Sequence, residues 1–212
     1  MNHHLANLLR RRPELEYCAA DITSAFDRFL LAFVSGHKLL LCGNGGSASD
    51  AEHWAGELLK GFIHRRALPS HLTAGLSSET ADNLQWALPA IPLTGFPALS
   101  TAFANDIHPD FIFAQLVWGL GRSGDVLVAL STSGNSRNVC RAAEVARHLQ
   151  LPVVALTGRD GGSLKNLADI CIAVPASETY LVQEFHLPIY HCLSLMLEEE
   201  WAQRMSEPQP QP

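Results

Sequence analysis

His53 and Glu57 stand four residues apart in the run Ser47-Ala48-Ser49-Asp50-Ala51-Glu52-His53-Trp54-Ala55-Gly56-Glu57-Leu58. In a helix that spacing puts an imidazole and a carboxylate on one face. Such a pair could bind a metal or move a proton. A second polar concentration, Gln183-Glu184-Phe185-His186-Leu187-Pro188-Ile189-Tyr190-His191, interrupts an otherwise apolar C-terminal stretch. His53, Glu57, Gln183 and His191 make a plausible set of N and O donors for zinc. Their spacing is not one of the strong zinc signatures. His3, His4, His37, His64, His71, His108 and His148 are expected to be structural.

A third group is Ser131-Thr132-Ser133-Gly134-Asn135-Ser136. Its hydroxyls are more than a helix cap needs, and they can donate to a phosphate while backbone amides supply further bonds. The cap-only alternative would be satisfied by one serine.

Each group needs an element to position it. Residues 39–42 are a strand-length apolar run that stops at Gly43-Asn44-Gly45-Gly46-Ser47, and a helical pattern follows to about residue 62, with Ser47 placed to cap it. A glycine-rich turn at a helix start aims amides and the positive end of a dipole at one point. The strand at 126–130, the serine loop and a helix over 137–149 repeat this plan. Of the two loops, the serine loop is the better phosphate site.

The remaining chain fits the same scheme. A helix is expected over 15–34, serving either the core or a partner subunit. Residues 64–87 read as a polar excursion or lid, and 88–94 as a short proline-containing strand near an edge. Helices follow at 96–105 and 109–120. A strand at 152–156, a short helix at 163–167 and a last strand at 170–174 come next. The final helix covers 177–205, with a kink expected near Pro188, and 206–212 should be a disordered tail. Apolar strands alternating with helices predict an α/β fold whose parallel sheet is covered on both faces, with ligands beyond the strand C-termini.

With 212 residues, 47% of them hydrophobic and 17% charged, the chain suits one domain. The net charge of -6 argues against an electrostatic grip on nucleic acid, though a local cluster of amides and hydroxyls could still hold one phosphate. There is no signal-peptide pattern and no stretch of membrane-spanning length, so a cytoplasmic protein is expected. The five cysteines, at 18, 42, 140, 171 and 192, are widely spaced and read as reduced.

Cys42-Gly43-Asn44-Gly45-Gly46-Ser47 with Asp50-Ala51 and 53–58, the block 130–136, Leu156-Thr157-Gly158 with Asp160-Gly161-Gly162, and Gln183-Glu184 with His186 and His191 together resemble the sugar isomerase (SIS) domain. Within that superfamily the likeness is to the phosphoheptose isomerases, over roughly residues 14–203. The resemblance implies a SIS-type three-layer sandwich, a central parallel sheet flanked by helices on both faces, as a single domain over 1–203. It implies conversion of sedoheptulose 7-phosphate to D-glycero-D-manno-heptose 7-phosphate through an enediol, for bacterial heptose and lipopolysaccharide synthesis. The implied assembly is a homotetramer with interfacial active sites.

Carried over by position, Glu57 and His191 match the catalytic pair. Ser131, Thr132, Ser133 and Ser136 would hold the phosphate. Asn44, Gly45, Gly46, Ser47, Asp106 and Gln183 would meet the sugar, and His53, Glu57, Gln183 and His191 would bind one zinc. Three features depart from the family pattern: the insertion at 64–87, Lys60-Gly61-Phe62 where an arginine precedes an aromatic, and Pro188. The rival readings are an isomerase of a related sugar phosphate and a non-catalytic SIS scaffold that binds the replication initiator. That scaffold typically lacks the acid at position 57 and the histidine at 191, and this chain keeps both.

Overall fold

The computed structural model describes residues 2–206. Five strands, β1 (Leu39–Cys42), β2 (Ala90–Pro92), β3 (Val126–Ser131), β4 (Val153–Thr157) and β5 (Ile170–Ala173), form one parallel sheet in the order β2-β1-β3-β4-β5. Leu41 pairs with Pro92 on one side and Val128 on the other. Pro92 cannot donate to a ladder, and β2 accordingly lies at the edge.

Eight α-helices accompany the sheet among the described residues: α1 (His3–Arg11), α2 (Ala19–Val34), α3 (Gly46–Leu59), α4 (Ser78–Asn83), α5 (Pro97–Asp106), α6 (Ile112–Leu120), α7 (Arg137–His148) and α8 (Thr179–Ser206). The continuously apolar strands are explained by two cores, because side chains alternate between faces and both faces are covered. Leu39, Leu41, Val126, Val128 and Leu156 join Ile22, Phe29, Trp54, Leu58, Tyr190 and Met196 on one face. Leu40, Cys42, Leu127, Ala129 and Val153 join Phe113, Val117, Val139 and Ala142 on the other.

This arrangement fixes where a ligand can enter. The chain leaves β1 into α3, which packs on the first face, and comes back to β2 on one side of β1. It returns to β3 on the other side of β1 and leaves into α7, which packs on the second face. The loops 43–45 and 132–136 therefore diverge at the C-terminal ends of neighbouring strands, and such a switch point opens a crevice.

Several sequence expectations need correction. The helix expected over 15–34 is two pieces, a 3-10 turn at Pro13–Cys18 followed by α2. The arginine-bearing N-terminal segment forms α1, whose Leu5, Leu8 and Leu9 are buried; its polar exterior concealed a three-residue apolar stripe. The helix expected to reach residue 62 ends at Leu59, where Lys60 turns extended at φ -128°. Cys140 and Cys171, expected with the rest to be core residues, are only partly buried, and all five cysteines are free. α8 runs on through Pro188 from Thr179 to Ser206. The tail expected at 206–212 lies outside the described residues except for Ser206, the last residue of α8.

The 64–87 excursion is tied down at its base. Ala67 and Gln85 form an isolated antiparallel bridge, and Trp86 N donates to Arg66 O at 2.7 Å. Below that bridge, the buried Glu198 carboxylate of α8 accepts the successive amides of Phe62, Ile63 and His64 at 2.7, 2.9 and 3.2 Å. Arg66 stands 3.8 Å from the same carboxylate and donates to the carbonyls of Leu58 and Lys60. These carbonyls and amides surround the end of α3, and Glu198 and Arg66 supply partners that the ending helix no longer provides, while the Leu58 carbonyl also accepts from Leu88 N at 3.0 Å.

His186 is fully buried in the middle of α8, with Nε2 3.4 Å from the Thr157 carbonyl and no partner at Nδ1. Burial outweighs that bond and lowers its pKa to about 4. Its unfolded value is the ordinary 6.5, so the unfolded chain binds the extra proton first. The stabilisation is complete above pH 6.5 and is lost as pH falls from 6.5 toward 4, by roughly 3 kcal/mol for this one group. Denaturant midpoints measured between pH 7.5 and 4.5 should fall less steeply in His186→Gln than in the wild type; equal slopes would refute the assignment.

Candidate active site

The glycine loop is shaped by close contacts. A Cβ on Gly43 would lie 2.6 Å from the Ser47 carbonyl oxygen, and one on Gly46 would collide with the Gln183 amide. Gly45 has φ 55° and occupies the cap position of α3, with no side-chain cap. Ser47, expected to cap, is instead a buried residue of the first turn. Nor does α7 receive a side-chain cap bond at its cap residue, Ser136. Even so, Ser47 N and Ala48 N at the start of α3 donate to the Asn44 and Gly45 carbonyls, and Val139 N in the first turn of α7 donates to Asn138 Oδ1; what both helix starts offer an anion is chiefly the positive end of the dipole.

The two loops are joined across the crevice. Asn44 and Asn138 exchange two amide hydrogen bonds, each 2.8 Å. Ser131 Oγ donates to Ser136 Oγ at 2.9 Å, and Ser133 Oγ accepts the Asn135 amide at 3.1 Å. Asn135 Oδ1 in turn accepts from both N and Oγ of Ser163 at 2.9 Å, which fastens the serine loop to the turn after β4. Part of the hydroxyl set therefore braces its own loop. Gly134, at φ 65°, lies so close to Gly161 that no side chain fits there.

The chemical groups lie further along α3. Its buried stripe Ala51, Trp54, Ala55, Leu58 faces the sheet, which sets His53 and Glu57 at the border with α8. Tyr190 Oη donates to Asp50 Oδ1 at 3.3 Å, so it accepts from His53 Nδ1 at 2.9 Å. This network assigns the proton to Nδ1 and turns Nε2 toward Glu57 Oε1, 3.2 Å away. Two acceptors facing each other require a second proton or a cation between them. Lys60 Nζ binds the other carboxylate oxygen, Oε2, at 3.0 Å.

His191 completes the group from α8. Its ring is perpendicular to that of His53, with centroids 5.2 Å apart, and Phe62 packs on it at 5.3 Å. The Nε2 atom is buried and has no hydrogen-bond partner. Burial first, and then the neighbouring His53, lower its pKa and keep the ring neutral near pH 7. Burial pushes Glu57 upward, but the bond and charge of Lys60, together with His53, outweigh it and hold the carboxyl below its usual range. Burial raises Asp50 against the opposing effects of Tyr190 and His53, and raises Tyr190 strongly.

The expected residues are thus partly gathered. His53, Glu57 and His191 meet at the α3–α8 border, while Gln183 rests on Gly46 at the crevice. Asp106 ends α5 and its side chain accepts from Asn105. Among the described residues only His3, His4 and Glu199 bring three ligating atoms within 4.8 Å of one another, so this chain does not preassemble the zinc quartet. Asp50, Tyr190 and Asn138 were missed as functional residues. Tyr190 adjoins His191 and Asp50 lies one turn before His53, but nothing in their types predicted a shared hydrogen bond.

The SIS domain family model matches residues 99–197. A phosphoheptose isomerase of Akkermansia muciniphila is 40% identical over 166 residues, 78% of each chain. One from Rhodospirillum rubrum is 39% identical over 182 residues, 86% of this chain and 87% of its own. The structure of phosphoheptose isomerase GmhA from Neisseria gonorrhoeae superimposes with a TM-score of 0.74 at 33% identity, covering 93% of this chain and 96% of its own.

Gly46→Ala tests the crevice contact. The new methyl group should displace the Gln183 amide without entering either core, and kcat/KM for the ketose phosphate should fall about 100-fold with little change in Tm. Unaltered kcat/KM would show that Gln183 has no part in binding.

Proposed function

We propose how this chain, which belongs to the phosphoheptose isomerase family of SIS-domain proteins, performs its reaction, the interconversion of sedoheptulose 7-phosphate and D-glycero-D-manno-heptose 7-phosphate. The observation that carries the proposal is the meeting of a lysine-held carboxylate, an oriented imidazole and a neutral, unpartnered imidazole on two adjacent helices.

The phosphate sits at the switch point on Ser131, Thr132, Ser133 and Ser136, at the start of α7. The sugar chain runs past Asn44, Gly45, Gly46, Ser47 and Gln183 toward His53 and Glu57, with Asp106 contributing from α5. From Gly46 to His53 the rise along α3 is about 10 Å, on the scale of an extended seven-carbon chain with a terminal phosphate.

Moving a carbonyl between C1 and C2 requires a base that takes a carbon-bound proton and an acid that returns one to the neighbouring carbon or oxygen. Glu57 is ionised at neutral pH and takes the proton on one oxygen. Neutral His191 shuttles the hydroxyl proton through Nε2, which lacks any competing partner within the chain. Phe62 packs on the His191 ring, with centroids 5.3 Å apart, and shields that side of the site from water.

The donors also suit zinc. His53 gives its Nδ1 proton to Tyr190, the outer partner that sets a ligating histidine's tautomer, and its Nε2 faces a carboxylate. His53, Glu57, Gln183 and His191 would hold the ion, which when bound supplies a Lewis acid next to the substrate oxygens. Glu57 could serve both purposes because its oxygens differ in partner: Oε1 lies 3.2 Å from His53 Nε2 and would join it in holding the ion, while Oε2 accepts from Lys60.

We place the enzyme in the cytoplasm, as a homotetramer with active sites at subunit interfaces, supplying heptose for lipopolysaccharide. No helix among the described residues is long and apolar enough to cross a membrane.

Aldose formation from sedoheptulose 7-phosphate should drop by at least about 100-fold in Glu57→Gln and in His191→Ala. Turnover undiminished by both substitutions would remove the catalytic assignment.

A further inference from the structure

We propose that His3, His4 and Glu199 form a second metal site, for zinc or a similar borderline divalent cation, that fastens α1 to the end of α8. His3 Nδ1 and His4 Nε2 converge on one oxygen, Glu199 Oε2, at 3.4 and 3.5 Å. The three donor atoms all lie within 4.8 Å of one another. Ligands bonded at about 2.1 Å to a tetrahedral ion stand about 3.4 Å apart, so the two measured separations are already those of a coordination edge. They are long for hydrogen bonds. Two imidazoles and one carboxylate are a donor set zinc uses, with the fourth position left to water.

The backbone beneath these side chains is fixed before any ion arrives. Asn2 caps α1 by accepting the His4 amide at 2.8 Å, which sets the first turn that carries both histidines. Leu5, Leu8 and Leu9 bury the inner face of α1 in the core that contains Leu193, Met196 and Leu197 of α8. The two rings stack with centroids 3.9 Å apart and planes tilted by 38°. Two imidazolium ions would repel at that distance, whereas two neutral rings can share a cation.

A cavity of about 480 Å³ lies over the cluster, with His64 and Glu198 also on its wall. It leaves room for a water ligand, and Glu198 adds negative potential while its own oxygens are held by backbone amides. Glu199 lies eight residues beyond His191, about 12 Å along α8, so this site is separate from the catalytic group. An ion here would tie the N-terminal helix to the helix that carries His191 and Tyr190. The competing reading is a surface ion pair between exposed histidines and a glutamate, which binds no metal.

Zinc titration of the full-length Glu57→Gln/His191→Ala double variant isolates the site. One zinc per chain should still bind, with a rise in Tm. His4→Ala or Glu199→Gln added to that background should weaken binding by at least about tenfold and abolish the rise. His3→Ala, at a mostly exposed position, provides a variant whose folding is not in question and should weaken binding likewise. Cobalt in place of zinc should give the intense visible absorption of a tetrahedral centre. Absence of zinc uptake in the double variant, or uptake and thermal shift indifferent to all three added substitutions, overturns the proposal.

Discussion

The Tyr190 hydroxyl is the joint on which the site depends. It donates to Asp50 Oδ1 and accepts from His53 Nδ1, so one oxygen on α8 ties two residues one turn apart on α3. Its ring stacks on Trp54 at 5.5 Å, and Trp54 meets Phe29 edge-on at 5.7 Å. A polar link is thus seated on an aromatic support in the interior. Moving either helix would break the link and the packing together, a cost cores do not absorb gradually. The orientation of His53 toward Glu57, and the place of His191 beside it, follow from this one contact.

The sheet order does for binding what Tyr190 does for chemistry. Because β1 has β2 and β3 as neighbours, the chains leaving β1 and β3 enter helices on opposite faces, and their loops must part. Mutual amide bonds between Asn44 and Asn138 set the width of that opening. Gln183 then closes one side by lying on Gly46. Glu198 works at the far end of the same helix pair: by holding the amides of 62–64 it keeps Phe62 against His191. The excursion that follows departs from a braced base rather than swinging from α3.

What the sequence made legible divides along physical lines. The strands, the two strand-loop-helix entries and the placement of His53 and Glu57 on one face could be read, since each is a local pattern of period two or 3.6. The helix end at Leu59 and the uncapped start at Gly45 could not, because Glu198 and Gln183 decide them from more than a hundred residues away. The serine loop was only half legible. Its hydroxyl density pointed to an anion, but Ser131, Ser133 and Ser136 also brace one another and Asn135. His3 and His4 were expected to be structural, and their shared partner Glu199 is set beside them only by the docking of α1 on α8. Tyr190 stood in the polar concentration at 183–191 with no role of its own, and its hydroxyl acquires one only through its distance from His53.

Replacing that hydroxyl tests the account most directly. Tyr190→Phe keeps the ring on Trp54 and removes both hydroxyl bonds, the one to Asp50 and the one that orients His53. The account predicts that kcat for sedoheptulose 7-phosphate falls by about 10- to 100-fold, as for loss of an outer partner to a functional histidine, while Tm shifts by only a few degrees. A Tyr190→Phe enzyme with wild-type kcat would contradict it.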